Sequence, residues 1–193
     1  LDITVQDPRP VIENCTAIAR NLSEQKGLTF YDRTTGWKLP EISIDETRFR
    51  QVLLNLLSNA VKYNRDDGTV TLSVSEGAQE SLRISIADSG RGIAKGKQAL
   101  LFQPFSRLGL ENSDITGTGI GLTITKDLVK AMGGTIGFES ALDFGSTFWL
   151  EFSIVSGELS MKDHRKEPAS PSVSLPTPTT LSSDISPRTA HTV

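Results

Sequence analysis

One cysteine, Cys15, stands among 193 residues; a single thiol excludes an internal disulfide and any cysteine-rich zinc site. It reads as a buried helix residue and fits a reducing, cytoplasmic setting. Histidine is almost as scarce, with only His164 and His191. No apolar run approaches the roughly 20 residues that span a bilayer, and Leu1-Asp2-Ile3-Thr4 has no basic segment leading into an apolar signal core. Direct membrane contact is therefore not expected of this segment, and attachment of the full-length protein to the inner membrane would need segments outside it. Positive charge is not in excess either: the net charge is -3, which gives no general reason to bind nucleic acid or an anionic surface. A phosphate ligand would have to be held locally. What is present, 37% hydrophobic and 22% charged residues, suffices for one sizeable core and one domain.

The most informative stretch runs from Asp45 to Asn64. At 100° per residue, Phe49, Leu53, Leu56, Leu57 and Ala60 gather on one side of a helix, and Arg48, Gln51, Asn55, Asn59 and Lys62 on the other. Asp45 suits the N-cap, and the polar run from Asn64 to Gly68 ends the helix. Asn55 and Asn59 lie one turn apart with Lys62 at i+3, so two neutral oxygen ligands and a cation project from one stripe. That stripe suits a metal-nucleotide, although any surface helix has a polar face.

Around this helix the spacing predicts a short strand at Leu1 to Val5, a helix from Val11 to about Gln25, a strand at Leu28 to Tyr31 and a loop from Arg33 to Pro40. Val70, Leu72 and Val74, then Leu82, Ile84 and Ile86, alternate with polar residues as a half-buried hairpin. Lys95 to Thr116 holds no period and has the length of a functional loop. A helix follows from Leu122 to Met132, stopped by Gly133-Gly134, and two strands close the pattern around Ile136, Phe138, Phe148, Leu150, Phe152 and Ile154. Beyond Gly157, segments such as Pro168-Ala169-Ser170-Pro171-Ser172 offer no core. The expected fold is α/β, an α+β two-layer sandwich: a mixed, largely antiparallel sheet covered on one face by helices, over residues 1–156, with a disordered tail over 157–193.

Two further segments carry chemistry. Gly117-Thr118-Gly119-Ile120-Gly121-Leu122 opens a helix, where backbone N–H groups and the positive helix end can approach phosphate. It lacks the lysine of the G-x-x-x-x-G-K-[ST] loop, and no clear strand leads into it as in a dinucleotide fingerprint. Glycines that merely pack a helix are the alternative. Asp88-Ser89-Gly90-Arg91-Gly92 puts a carboxylate at a strand end; when ionised it can accept from the exocyclic amine of adenine and reject the oxygen of guanine. A plain Asx turn is the alternative there.

Together these segments resemble the catalytic ATP-binding domain of sensor histidine kinases, within the superfamily of gyrase, mismatch-repair and heat-shock ATPases. Four boxes appear in family order: Asn55 to Tyr63, Asp88 to Ile93, Leu101-Phe102-Gln103-Pro104-Phe105, and Gly117 to Leu122. The resemblance implies ATP and Mg2+ as cofactors, Asn59 as magnesium ligand with Asn55 assisting, Lys62 on phosphate and Tyr63 near the adenosine. It implies that Asp88 selects adenine, that Gly90, Gly92 and Ile93 form the base site, and that Gly117, Thr118, Gly119, Gly121 and Leu122 hold the triphosphate. Residues Lys95 to Thr116 would be a mobile ATP lid, with Phe102 and Phe105 as apolar hinge and Arg107 on phosphate.

The hydrolytic relatives carry a glutamate where this chain has Asn55, and an amide cannot take a proton from water at neutral pH. Fast hydrolysis is not expected; the resemblance implies γ-phosphoryl transfer to a histidine on a dimerisation domain, and from there to a response-regulator receiver domain. Neither His164 nor His191 lies in an amphipathic helix of the phosphoacceptor type, so the chain reads as the catalytic half of a homodimeric kinase, unable to phosphorylate itself alone. A serine kinase of the anti-sigma-factor type, and a nucleotide-gated module without catalysis, are the competing expectations.

Overall fold

Asp45 ends one element and starts the next. In the computed structural model, which describes residues 1–106 and 119–161, its carboxylate accepts the Arg48 N–H at 3.0 Å and the Asp2 N–H at 2.8 Å. The first bond caps a helix, and the second ties the start of the chain to it. In chain order the elements are β1 (Thr4–Gln6), α1 (Arg9–Gln25), β2 (Thr29–Asp32), β3 (Trp37–Lys38), β4 (Glu41–Ile44), α2 (Glu46–Lys62), β5 (Thr69–Glu76) and β6 (Ser81–Asp88). Then follow α3 (Lys95–Gln98), α4 (Gly121–Ala131), β7 (Thr135–Ala141), β8 (Gly145–Ser156) and β9 (Ser160–Met161).

Seven strands form one sheet in the order β1-β4-β8-β6-β5-β2, with β7 also pairing β8. Every pairing in it is antiparallel except β2 with β5. The mixed, mainly antiparallel sheet packed against helices is thus as the sequence pattern anticipates. Phe49, Leu53, Leu56, Leu57 and Ala60 of α2 are all buried, and they join Val70, Leu72, Val74, Leu82, Ile84, Ile86, Leu150 and Phe152 in one core. With its apolar stripe fixed there, α2 must present its amide stripe away from the sheet. Cys15 is fully buried in α1, and burial pushes its thiol up to about 11, which keeps it neutral and unreactive. No helix of the described residues is long and apolar enough to cross a membrane.

Three local expectations change. The Arg33 to Pro40 loop contains β3, and β4 follows it directly. β3 pairs with β9 through Trp37 opposite Met161 and Lys38 opposite Ser160, and Leu159 between the main sheet and β9 is buried. Packed structure therefore runs past the anticipated end at residue 156, and the rest of the expected tail, from residue 162, lies outside the described residues. A chain ending at Gly157 should consequently melt about 3–8 °C below one ending at Met161, the effect of losing one buried leucine. Identical melting of the two would show that β9 adds nothing to the fold.

Candidate functional site

A cavity of about 380 Å³ opens over the amide stripe of α2. Asn55, Asn59, Lys62 and Tyr63 line it from the helix, Asp88, Gly92 and Ile93 from the end of β6, and Gly119, Gly121 and Leu122 from the start of α4. Ten of the residues singled out in the sequence, from three separated segments, thus share one space. A more open depression of about 320 Å³ has only Asp88 and Ser146 in common with it.

The acidic end rests on Asp88. Its Oδ1 accepts the Gly90 N–H at 2.8 Å, so the Asx turn is real, and it coexists with a wall position in the cavity. Burial pushes the Asp88 carboxyl up to about 6, against the lowering effect of the Gly90 and Ser146 N–H groups. A carboxylate kept partly desolvated at a cavity wall is poised to gain from any donor brought to it.

A second corner is built where α2 meets α4. Asn55 Nδ2 donates to Thr125 Oγ1 at 2.8 Å, and a Cβ at Gly121 would come within 2.7 Å of Asn55 Oδ1. Gly121 is therefore the residue that lets the helix start approach the amide. No side chain caps α4, so its first backbone N–H groups and the positive end of its dipole are directed at this corner. On the last turn of α2, where the Tyr63 carbonyl accepts the Arg91 N–H at 3.3 Å, Lys62 Nζ lies 5.0 Å from the Tyr63 ring centroid, one cation held beside an aromatic face.

Several of the expected site residues also have structural partners of their own. Space beside Gly90 is filled by the Tyr63 carbonyl oxygen, 2.5 Å from where a Cβ would be, and that beside Gly92 by the Ala141 carbonyl. These glycines admit neighbouring backbone of the protein itself, and Gly92, at φ 62°, meets the cavity only through its main chain. Phe102, in the segment expected to form a lid, packs edge-on to Phe138 at 5.9 Å, with its carbonyl accepting the Thr123 hydroxyl at 3.1 Å. Phe105, expected with Phe102 as the apolar hinge, is at φ 62° and 76% exposed. Arg107, Gly117 and Thr118, with the remainder of the lid to Thr116, lie outside the described residues.

Sequence reasoning passed over Arg91, Lys97, Leu142, Ser146 and Phe148, all of which line the cavity. Arg91 stands inside the Asp88 turn and Lys97 inside the expected lid, neither with a role of its own, while Leu142, Ser146 and Phe148 arrive from the distant β7–β8 hairpin. Thr125 escaped too, although it follows Gly121 by four residues and so shares its helix face.

The model of the histidine kinase-, DNA gyrase B- and HSP90-like ATPase family matches residues 44–156, more than half of the chain, and the chain belongs to that family. Within it, the similarity is to sensor kinases. The virulence sensor protein BvgS of Bordetella bronchiseptica is 34% identical over 157 residues, 79% of this chain and 13% of that protein. The circadian input-output histidine kinase CikA of Synechococcus elongatus is 45% identical over 105 residues, 54% of this chain and 14% of that protein. The chain thus spans only about one-seventh of such relatives. Full-length ShkA, crystallised in complex with AMPPNP, superposes with a TM-score of 0.67 at 31% identity, covering 81% of this chain and 32% of that one. The catalytic domain of histidine kinase ThkA gives 0.67 at 24% identity, over 80% of this chain and 97% of that one, a likeness of fold alone. The molecule is a histidine kinase-type ATPase domain of the kind found in sensor kinases.

Proposed function

We propose that this domain binds Mg-ATP in the cavity over α2 and presents the γ-phosphoryl group to a histidine carried by a separate dimerisation domain, for relay to a receiver domain. The observation that carries the reading is the meeting of several chemistries in one cavity: an acceptor, Asp88, at the end of β6, the Lys62 cation on the neighbouring last turn of α2, and the Asn55 amide with the uncapped helix start where α2 meets α4. Asp88 would take the adenine amine. The backbone N–H groups at Gly119, Gly121 and Leu122, together with Lys62, would hold the triphosphate.

The residues fit a magnesium ion as well. Among the described residues no three His, Cys, Asp or Glu side chains come together, so a dedicated carboxylate cage is not on offer, whereas Asn59 supplies one neutral oxygen beside the proposed phosphate end. That suits an ion that keeps most of its shell as water and phosphate oxygen. When bound, magnesium would neutralise phosphate charge and favour departure of the γ-phosphoryl. Asn55, engaged with Thr125 and unable to act as a base, would keep α2 and α4 in register without activating water. The chain's own contribution is therefore positioning and charge stabilisation, which transfer needs and hydrolysis does not complete.

Joined to a histidine-bearing dimerisation helix pair, the domain should incorporate phosphate that is lost in acid. Acid-stable phosphate would indicate a hydroxyl acceptor and the serine-kinase alternative. Asn59→Ala should weaken Mg-ATP binding at least tenfold while leaving magnesium-free ATP binding within about twofold, since a lost ligand matters only with the ion present. Equal losses under both conditions would make Asn59 a structural residue.

A further inference from the structure

The turn between β7 and β8 places Leu142 where neither the core nor the proposed phosphate site uses it. Leu142 is 55% exposed and contributes to no buried cluster, yet it lines the same cavity as Asp88, Ile93, Ser146 and Phe148. An exposed leucine on a wandering loop would need no explanation. This turn is held from several sides. The Asp143 N–H donates to the Arg91 carbonyl at 2.7 Å and the Phe144 N–H to the Ala141 carbonyl at 3.1 Å. Ser140 Oγ accepts the Ile93 N–H at 2.8 Å and donates to the Gly145 carbonyl at 2.9 Å.

The same turn is also locked against the Asp88 loop by backbone. The Ala141 carbonyl fills the space beside Gly92, and the Asp88 carbonyl fills the space beside Gly145. Ala141, the residue before Leu142, and Arg91, three residues after Asp88, are thus in fixed mutual positions. Leu142 has little freedom to turn its backbone away from the cavity mouth.

We propose that Leu142 is a base-covering residue: it lays an apolar side chain over the heterocycle of a nucleotide whose amine is held by Asp88, closing the mouth of the base site. The inference rests on the nucleotide reading and adds to it a contact that recognises any flat apolar base rather than a particular hydrogen-bond pattern. Asp88 would then decide which base is bound, and Leu142 how tightly. Covering roughly a third to a half of its exposed surface yields about three- to tenfold in affinity.

The test uses this chain with ATP, adenosine and inorganic tripolyphosphate as separate calorimetric titrants. Leu142→Ala should weaken ATP and adenosine about three- to tenfold, leave tripolyphosphate unchanged and keep the ratio of ATP to GTP affinity. Leu142→Met should recover most of the loss, because it restores apolar contact without restoring shape. Both variants should melt like the parent, since the side chain is not in the core. ATP affinity unchanged in Leu142→Ala, or lost equally with tripolyphosphate, overturns the base-covering role while leaving the nucleotide site standing. Failure of the parent chain to bind either ATP or adenosine overturns both readings.

Discussion

Asp88→Asn is expected to weaken ATP binding by roughly 1.5–3 kcal/mol, about ten- to a hundredfold, and at the same time to stabilise the nucleotide-free protein at neutral pH. The binding loss follows from geometry. Because the Gly90 N–H already donates to Asp88 Oδ1 at 2.8 Å, the amide oxygen of an asparagine must take that place, which turns its NH2 toward the base, where the adenine amine requires an acceptor. The stability gain follows from linkage. The Asp88 carboxyl stands at about 6, raised from 3.8 by burial, so the folded state holds a proton that the unfolded chain releases between about pH 4 and pH 6. Stability is then greatest below about pH 4 with respect to this group and declines as pH rises through about 6, by about 2–3 kcal/mol in all. Asparagine has no proton to lose, and the variant should lack that slope. ATP affinity of the parent should fall on acidification through about pH 6, as the acceptor becomes protonated. Denaturant melts at pH 4 and 7, with ATP titrations at both, check each part. A variant that binds ATP normally and keeps the slope would place the charge, and the base site, elsewhere.

Gly92→Ala should destabilise the domain by about 2–4 kcal/mol, through both its backbone angle and its surroundings. At φ 62° a side chain is strained in any setting, and here the Cβ would overlap the Ala141 carbonyl, part of a strand paired in register with β8. Neither partner can yield without breaking the contact between the Asp88 loop and the β7–β8 turn. Gly96→Ala provides the comparison: it has open space and no positive φ, and should melt within a degree or two of the parent. If Gly92→Ala melted likewise, the glycine would be serving the ligand after all.

That distinction marks where the sequence stops being readable. Alternation in Val70, Leu72 and Val74 and the apolar face of α2 are local signals, so strand, helix and the outward amide stripe follow from them directly. The cap at Asp45 is local as well. By contrast, β4 offers only Ile42 and Ile44 as its pattern and is recognisable mainly through its pairing with β1 and β8. β3 and β9, two residues each, have no pattern at all and exist because distant segments meet. The same holds for the glycines. A turn rich in glycine can be read as space left for something, but whether ligand or backbone fills that space depends on where the β7–β8 turn arrives. Leu142, reached from 50 residues beyond Gly92, enters the cavity by that route, and the Asn55 bond to Thr125 arises in the same way.

The long strand β8 has an implication for how the molecule is made. It lies between β6 on one side and β7 and β4 on the other, yet it is the last long element among the described residues to be synthesised. Until it emerges, β6 carries an unpaired edge along Ser81–Asp88, and β4 has only the three-residue β1 as a companion. Its pairs with β6 join residues from 58 positions apart, Asp88 with Ser146, to 72, Ser81 with Ser153, so loop closure must be met before those contacts reward it. A nascent chain that stalls between β6 and β8 thus holds an apolar sheet face and a bare strand edge together, the combination that invites association with other unfinished chains. The strand that completes the core also ends the interval in which the polypeptide most needs a chaperone.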